Sequence, residues 1–203
     1  MKKNKISKNW LRRQNKDTYV KQSKSEGYRS RAVYKLKDID DKFKLFHNNI
    51  SVIDLGAAPG SWSQYVSRKI KNAKIMSIDL KEIENIKRTH HVVGDFTDNK
   101  IKKKIKEFFK SKVDVVLSDM AVNTTGIKNI DSLVTGELCL NAMNFTKEIL
   151  NYDGKFVSKI FMGSVFNEII SEAKKNFKIV KIFKPLASRK DSKENFIICK
   201  YLK

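Results

Sequence analysis

The sequence has 203 residues, which is enough for one well-buried domain and short for two. No apolar run approaches the ~18 residues that cross a bilayer. No apolar segment follows the first Lys and Arg residues, so we expect neither a membrane span nor a secretory signal. Cys139 and Cys199 lie far apart, without CxxC spacing or a nearby histidine pair. We therefore expect reduced thiols in an intracellular protein and no metal site.

The charge is strongly positive, with 43 Lys and Arg against 22 Asp and Glu and a net charge of +21. Residues 1–24 hold nine of these cations and one acidic residue, Asp17. Such an arm attracts a polyphosphate backbone through counterion release. Its low apolar content favours nucleic acid over a membrane surface. A Lys-rich composition of the whole proteome is an alternative source of part of the charge, and an organellar targeting segment is an alternative role for the arm.

The predicted elements begin with a helix over residues 29–43, which places Val33, Leu36, Ile39 and Phe43 on one face. Short β-branched runs then alternate with amphipathic segments. The predicted strands are 50–55, 74–80, 91–93, 113–119, 155–161, 178–184 and 196–202. The predicted helices between them are 62–71, 101–110, 133–151 and 165–177.

This alternation indicates an α/β fold with a doubly wound, mostly parallel sheet of seven strands and helices on both faces. Only residues 185–195 join the last two strands, so we expect the last strand to be antiparallel. We divide the chain into a basic N-terminal arm, 1–27, and a single domain, 28–203. In open sheets of this kind, ligands bind beyond the carboxyl ends of the strands.

The first strand runs into the turn DLGAAPGSWS, residues 54–63. Small residues let the backbone approach a ligand closely, and the start of the next helix favours an anionic group. Ala57 and Ala58 occupy the middle of the turn, so it is not the GxGxxG dinucleotide fingerprint. We expect a smaller anion, such as an amino-acid carboxylate. A tight strand-to-helix turn without a ligand is the alternative.

Acidic residues end three consecutive strands, and these are Asp54, Asp79 and Asp95. Asp79 lies 19 residues after Gly60, close to the spacing at which a carboxylate binds ribose hydroxyls. Asp95 and Phe96 offer a carboxylate for an exocyclic amine and a ring beside a purine. Helix capping is the alternative role of each carboxylate. The predicted cofactor-binding residues are Asp54, Gly56, Ala57, Pro59, Gly60, Trp62, Asp79, Leu80, Asp95, Phe96 and Asp119.

Two strands carry charged residues where a buried strand is normally apolar. Asp119 ends VDVVLSD, and Lys159 lies inside FVSKIF. If these strands are adjacent in the sheet, the two side chains lie side by side. A buried lysine is costly unless it is paired, and burial or a neighbouring cation favours its neutral form. Lys159 is therefore predicted to be a general base oriented by Asp119, with a structural ion pair as the alternative.

The chain resembles the FtsJ/RrmJ-type ribosomal RNA 2′-O-ribose methyltransferases over nearly its whole length. The matching stretches occur in the family's order: YRSRAVYKL (28–36), DLGAAPGSWSQYV (54–66), GDF (94–96), SDMAVNTTG (118–126), GKFVSKIFMG (154–163) and KPLASRKDSKEN (184–195). DLGAAPG by itself is typical of the whole methyltransferase superfamily, whereas the set is specific.

The resemblance implies a Rossmann-like methyltransferase fold, S-adenosylmethionine as cofactor and a catalytic Lys-Asp-Lys-Glu tetrad, which corresponds to Lys35, Asp119, Lys159 and Glu194. It implies 2′-O-methylation of RNA, with a uridine of large-subunit ribosomal RNA, free or in the pre-ribosomal subunit, as the expected substrate. We also expect a monomer, located in the cytoplasm or, in a eukaryote, in a mitochondrion or another organelle.

Two positions depart from the family pattern: Val122, where Pro is usual, and Ser61, where bacterial members usually have Gly. Neither is a tetrad position. A methyltransferase of the same family that acts on tRNA and a non-catalytic RNA-binding module are the alternatives. A base methyltransferase is disfavoured, because neither cysteine follows a proline and SDMAVN lacks the Asn/Asp-Pro-Pro-aromatic motif.

Overall fold

A computed structural model describes residues 16–121, 128–189 and 191–203. Val122 and residues 1–15 of the basic arm lie outside these ranges. The helices are α1 (Thr18–Ser25), α2 (Ala32–Phe43), α3 (Ser61–Lys69), α4 (Asn99–Phe109), α5 (Lys128–Ile149) and α6 (Phe166–Asn176). The strands are β1 (Ser51–Leu55), β2 (Lys74–Asp79), β3 (Thr89–Val93), β4 (Val113–Ser118), β5 (Leu150–Phe161), β6 (Phe177–Phe183) and β7 (Glu194–Leu202).

The seven strands form one sheet in the order β3-β2-β1-β4-β5-β7-β6. Strands β1 to β5 pair in parallel, whereas β7 pairs antiparallel with both β5 and β6. The predicted sheet with an antiparallel last strand is confirmed. Because β7 runs against β5, its first residue, Glu194, pairs with Phe161, the last residue of β5. This places the start of β7 at the same edge as the carboxyl ends of the parallel strands.

Both faces of the sheet are covered, because successive side chains of each strand point to opposite sides. On one face, strand residues such as Val52 and Leu117 pack against α2 and α3 through Leu36 and Val66. On the other face, residues such as Ile53, Val116 and Phe156 pack against α4, α5 and α6. Cys139 and Cys199 are free, buried thiols in this second layer. Within the described ranges, no helix is long and apolar enough to cross a membrane.

Two predicted boundaries are wrong for identifiable reasons. Residues 150–151 belong to β5 and not to the preceding helix, because Leu150 pairs with Val113 and the Asn151 side chain donates to Asp114 at 2.7 Å. The first predicted helix begins at Ala32 and not at residue 29. The Arg29 amide donates to the Gln64 side chain at 3.2 Å, which holds the preceding segment against α3.

Helix α1 lies within the segment interpreted as a basic arm. The Asp17 carboxylate caps it by accepting hydrogen bonds from the amides of Tyr19 and Val20. The helix is fixed to α2 by an ion pair between Asp17 and Arg31 and by the Tyr19 and Tyr34 rings, whose centroids lie 5.2 Å apart. Part of the basic arm is thus a helix packed on the domain.

Phe156 tests the packing of the second layer. Its side chain is fully buried, and its ring stacks on Phe177 with the centroids 6.3 Å apart. Phe156→Ala should lower the free energy of unfolding by about 3–5 kcal/mol in urea denaturation, because truncation leaves a cavity. The matched control is Tyr152→Ala on the same strand, whose exposed ring should cost less than about 1 kcal/mol. Equal losses in the two variants would contradict this account of the core.

Candidate active site

The carboxyl ends of the strands border a cleft of about 580 Å³. Six of the predicted cofactor-binding residues line it: Gly56, Asp79, Leu80, Asp95, Phe96 and Asp119. A smaller cavity of about 40 Å³ shares Gly56 and Asp119 with the cleft. Its lining includes the other predicted residues except one: Asp54, Ala57, Pro59 and Trp62. Gly60 is instead the N-cap of α3.

The cleft combines acidic and apolar groups. The Asp79 carboxylate accepts hydrogen bonds from the amides of Ala58 at 2.8 Å and Lys81 at 2.9 Å. These bonds fix its orientation, and a carboxylate has lone pairs for further donors. Leu80 is 73 % exposed at the cleft, whereas Phe96 is buried beside Phe145, with ring centroids 5.6 Å apart. Such a cleft can hold a ligand with hydroxyl donors and a flat apolar part.

The turn after β1 requires glycine where the backbone comes close to its neighbours. Gly56 has φ of +67°, and a Cβ atom there would lie 2.2 Å from Cγ of Met120. Gly60 has φ of +100°, and a Cβ atom there would lie 2.6 Å from Cδ1 of Ile86. Both positions are in the left-handed region, which glycine adopts at little cost. The small residues of DLGAAPG thus keep the turn tight against the cleft.

Asp54 lies beneath this turn and is 1 % exposed. Its Oδ2 atom accepts hydrogen bonds from the Ser63 amide at 3.0 Å and the Ser63 hydroxyl at 2.7 Å. Burial raises the pKa of Asp54 to about 7, although the hydrogen bonds from Ser63 act in the opposite direction. In this structure Asp54 anchors the first turn of α3 to the end of β1.

Trp62 and Phe196 are two packed aromatic residues near Lys35. The Trp62 indole donates to the carbonyl of Ala32 at 2.9 Å, and its ring lies 5.7 Å from that of Phe196. The Lys35 ammonium lies 5.8 Å from the centroid of the Phe196 ring. Trp62 is therefore tied to the helix that carries Lys35.

Four charged side chains from separate elements meet beside the cleft. The Lys159 ammonium on β5 donates to Asp119 Oδ1 at 2.8 Å and to the Asp119 carbonyl at 2.7 Å. The Lys35 ammonium on α2 lies 3.7 Å from the same Oδ1 atom and 2.7 Å from Glu194 Oε2. The structure thus brings together Lys35, Asp119, Lys159 and Glu194, the four residues that the family resemblance implies as a tetrad.

The charges in this cluster keep two neighbours of Lys159, Asp119 and Lys35, in their ionised forms. Burial alone raises the pKa of Asp119, but Lys159 and Lys35 outweigh it, and the pKa falls below the ordinary 3.8. Burial alone lowers the pKa of Lys35, but Asp119 and Glu194 outweigh it, and the pKa rises above 10.5. Asp119 therefore stays a carboxylate and Lys35 stays a cation near neutral pH.

Sequence reasoning missed other residues at this site. Met120 lines the cleft, and so do Leu138 and Asn141 from α5. The apolar pattern of α5 gave no signal for a ligand-facing position. Ser188 donates to Glu194 Oε1 at 2.8 Å. It lies within the matching stretch 184–195, so the resemblance included it without giving it a role.

The sheet order, the antiparallel β7 and the tight turn after β1 define the Rossmann-like methyltransferases. Two structures in complex with S-adenosylhomocysteine share this fold at low identity. Human methyltransferase-like protein 13 gives a TM-score of 0.56 at 13 % identity, covering 75 % of this chain and 72 % of that chain. A Streptococcus mutans protein described as a methyltransferase gives 0.51 at 14 % identity, covering 78 % and 90 %. These likenesses concern the fold alone.

The chain belongs to the FtsJ-like methyltransferase family, whose family model matches residues 28–202. The ribosomal RNA large subunit methyltransferase E of Pelagibacter ubique is 64 % identical over the full length of both chains. The protein of that name from Rickettsia bellii is 46 % identical over 95 % of this chain and 87 % of its own. A crystal structure described as a ribosomal RNA methyltransferase from Plasmodium falciparum gives a TM-score of 0.78 at 32 % identity, covering 86 % and 98 %.

The raised pKa of Asp54 predicts a pH dependence of stability. Its folded-state pKa of about 7 exceeds the ordinary 3.8, so the folded protein holds a proton that the unfolded chain releases between these values. The proton on Asp54 therefore stabilises the folded state. Its contribution is full below about pH 4 and is lost as the pH rises through about 7.

Asp54→Asn removes the ionisation and keeps an oxygen for Ser63. Between pH 4 and 8, the unfolding free energy of the wild type should fall relative to the variant, by a difference on the order of 4 kcal/mol. Urea denaturation of both proteins at each pH measures it, and other titrating groups cancel in the comparison. Parallel pH profiles would contradict the prediction.

Proposed function

We propose that this protein transfers a methyl group from S-adenosylmethionine to a ribose 2′-hydroxyl of large-subunit ribosomal RNA, with a uridine as the target nucleotide. Lys35, Asp119, Lys159 and Glu194 form the catalytic tetrad, with Lys159 as the general base. The observation that carries the proposal is the contact of Lys159 and Lys35 with one oxygen of Asp119, a residue that also lines the cleft. A proton acceptor thereby lies next to the cofactor site.

The choice of RNA rests on the relatives and on charge. The Pelagibacter and Rickettsia proteins carry a name that specifies large-subunit ribosomal RNA. This favours ribosomal RNA over tRNA, and their bacterial origin favours the cytoplasm over an organelle. The net charge of +21 suits a polyphosphate substrate. The basic residues of the arm would add phosphate contacts outside the domain.

The cleft fits S-adenosylmethionine chemically. Asp79 keeps acceptor capacity for ribose hydroxyls after its two amide bonds. Phe96 and Leu80 supply apolar surface for an adenine, and Asp95 supplies a carboxylate near it. Gly56 borders the cleft with backbone alone and would face the amino-acid part. When bound, S-adenosylmethionine supplies an electrophilic methyl group on a sulfonium.

The tetrad residues would act on the RNA hydroxyl. Lys159, in its neutral amine form, would accept the proton of the ribose 2′-hydroxyl, and bound S-adenosylmethionine would supply the methyl group to that oxygen. The Lys159 nitrogen donates two hydrogen bonds to Asp119, one to its carbonyl oxygen and one to Oδ1. These bonds direct the remaining position on the nitrogen, which is the lone pair of the neutral amine. Lys35 stays cationic and Glu194 holds it in place, so it can bind the ribose oxygen. Positioning of the two reactants supplies much of the rate.

Lys159→Ala tests the assignment of the base. Methyl transfer to large-subunit RNA should fall by about 10²–10⁴, because a positioned base is lost. Lys159→Arg should fall as far, since arginine keeps the charge but does not give up its proton. The measurement is incorporation of labelled methyl groups, with mapping of 2′-O-methyl sites by mass spectrometry. Lys181→Ala, which removes an exposed lysine on β6, is the control and should retain full activity. Near-normal turnover of Lys159→Ala would remove Lys159 from the mechanism.

Asp79→Asn tests the cofactor site without the RNA. The variant loses the charge of the acceptor, so S-adenosylhomocysteine should bind about 10–100-fold more weakly by calorimetry. Asp98→Asn removes the charge of an exposed carboxylate that caps α4 and should leave the affinity unchanged. An unchanged affinity of the Asp79 variant would place the ribose contact elsewhere.

A further inference from the structure

Three polar residues lie in one line along α2: Arg31, which is the N-cap of the helix, and Lys35 and Asp38 within it. Their spacing of four and three residues puts them on the same face of a helix. Lys35 binds the first residue of β7, and the other two bind the connection that leads into β7. Lys35 donates to Glu194 at 2.7 Å, Arg31 donates to the Ala187 carbonyl, and Asp38 accepts from the Ala187 amide at 2.9 Å. The peptide groups on both sides of Ala187 are therefore fixed to the helix that carries Lys35.

This anchored segment reaches the tetrad through the next residue. Ser188 is 7 % exposed and donates its hydroxyl proton to Glu194 Oε1 at 2.8 Å, while Glu194 Oε2 binds Lys35. Each carboxylate oxygen of Glu194 thus has a different partner. Glu194 is itself 8 % exposed, and a buried carboxylate that loses a donor can turn toward another partner. The contacts of Arg31 and Asp38 with Ala187 form a clamp on this segment. Arg31 is also paired with Asp17, the residue before α1, so the clamp extends to the start of the described chain.

We propose that Ser188 is a positioning residue for methyl transfer: held at Ala187 by Arg31 and Asp38, it fixes the Glu194 carboxylate so that Glu194 directs Lys35 toward the ribose. This inference rests on the proposed function of the tetrad. It assigns roles to Ser188, Arg31 and Asp38, none of which contacts the reacting atoms. Loss of the Ser188 hydroxyl leaves Lys35 charged but less well oriented.

The first test is single-turnover methylation of large-subunit RNA by Ser188→Ala. The rate at saturating RNA should fall by roughly ten-fold or more, because a hydrogen bond to a charged group is lost. The affinity for S-adenosylhomocysteine should stay within two-fold of the wild type. Ser188→Thr, which restores the hydroxyl, should recover most of the rate. Ser67→Ala removes a buried hydroxyl bonded to the Lys87 carbonyl and is the matched control with an unchanged rate. If Ser188→Ala does not fold, the near-isosteric Ser188→Cys takes its place.

A double-mutant cycle separates positioning from a general structural effect. If Ser188 acts through Glu194, Ser188→Ala should have no further effect on the rate when Glu194 is already alanine. An equal ten-fold loss in both backgrounds, or a full rate for Ser188→Ala, overturns the proposal. Full activity of both Glu194→Ala and Lys159→Ala would instead overturn the tetrad itself. Failure of the positioning role is therefore distinguishable from failure of the proposed function.

Discussion

Two lysines, Lys159 on β5 and Lys35 on α2, share one carboxylate oxygen of Asp119 in a mostly buried place. Burial disfavours the charges of Asp119 and Lys35, but the opposite charges around them outweigh it, so that the pKa of Asp119 is lowered and that of Lys35 is raised. Removing one partner leaves a buried charge without compensation, which costs more than the bond itself. The charged side chains are consequently stable only together, and the elements that carry them have to keep fixed positions relative to one another. Much of the remaining architecture at this edge of the sheet holds those positions.

The sheet topology fixes the relative positions of these charged residues. Parallel strands β4 and β5 end side by side, with Ser118 paired to Ser158, so that Asp119 and Lys159 follow in adjacent positions. A parallel β7 would deliver Glu194 to the opposite edge of the sheet. Because β7 is antiparallel, its first residue lies where β5 ends. The reversal of one strand therefore adds a fourth charged residue to the group without a long connection.

The alternation of strands and helices was sufficient to predict the layers, because a hydrophobic run of five or six residues flanked by amphipathic segments has few other solutions. The contact of Asp119 with Lys159 was predictable from two charges in apolar strands. Helix α1 was not, because its eight mostly polar residues lack an apolar period and its stability comes from Asp17, Arg31 and Tyr34. The start of β5 depends on pairing with Val113, which no local pattern records. The hydrogen bond from Ser188 to Glu194 was not predictable for the same reason, since it forms only once the β6–β7 connection has folded against α2.

The sequence also grouped Asp54 with Asp79 and Asp95 because each ends a strand. The structure distinguishes them by their surroundings. Asp79 and Asp95 border the large cleft, whereas Asp54 lies under the turn and binds Ser63. Position along a strand predicts the edge of the sheet but not the depth of the side chain, which depends on how α3 packs.

The clamp around Ala187 has a consequence for hydrogen exchange. The Ala187 amide is bonded to a side chain of α2, outside any helix or strand ladder, and Ala187 itself is almost fully buried. Its proton can exchange with deuterated water only when the β6–β7 connection separates from α2. That separation also withdraws Ser188 from Glu194. The exchange rate of this single backbone amide therefore reports how often this edge of the protein opens.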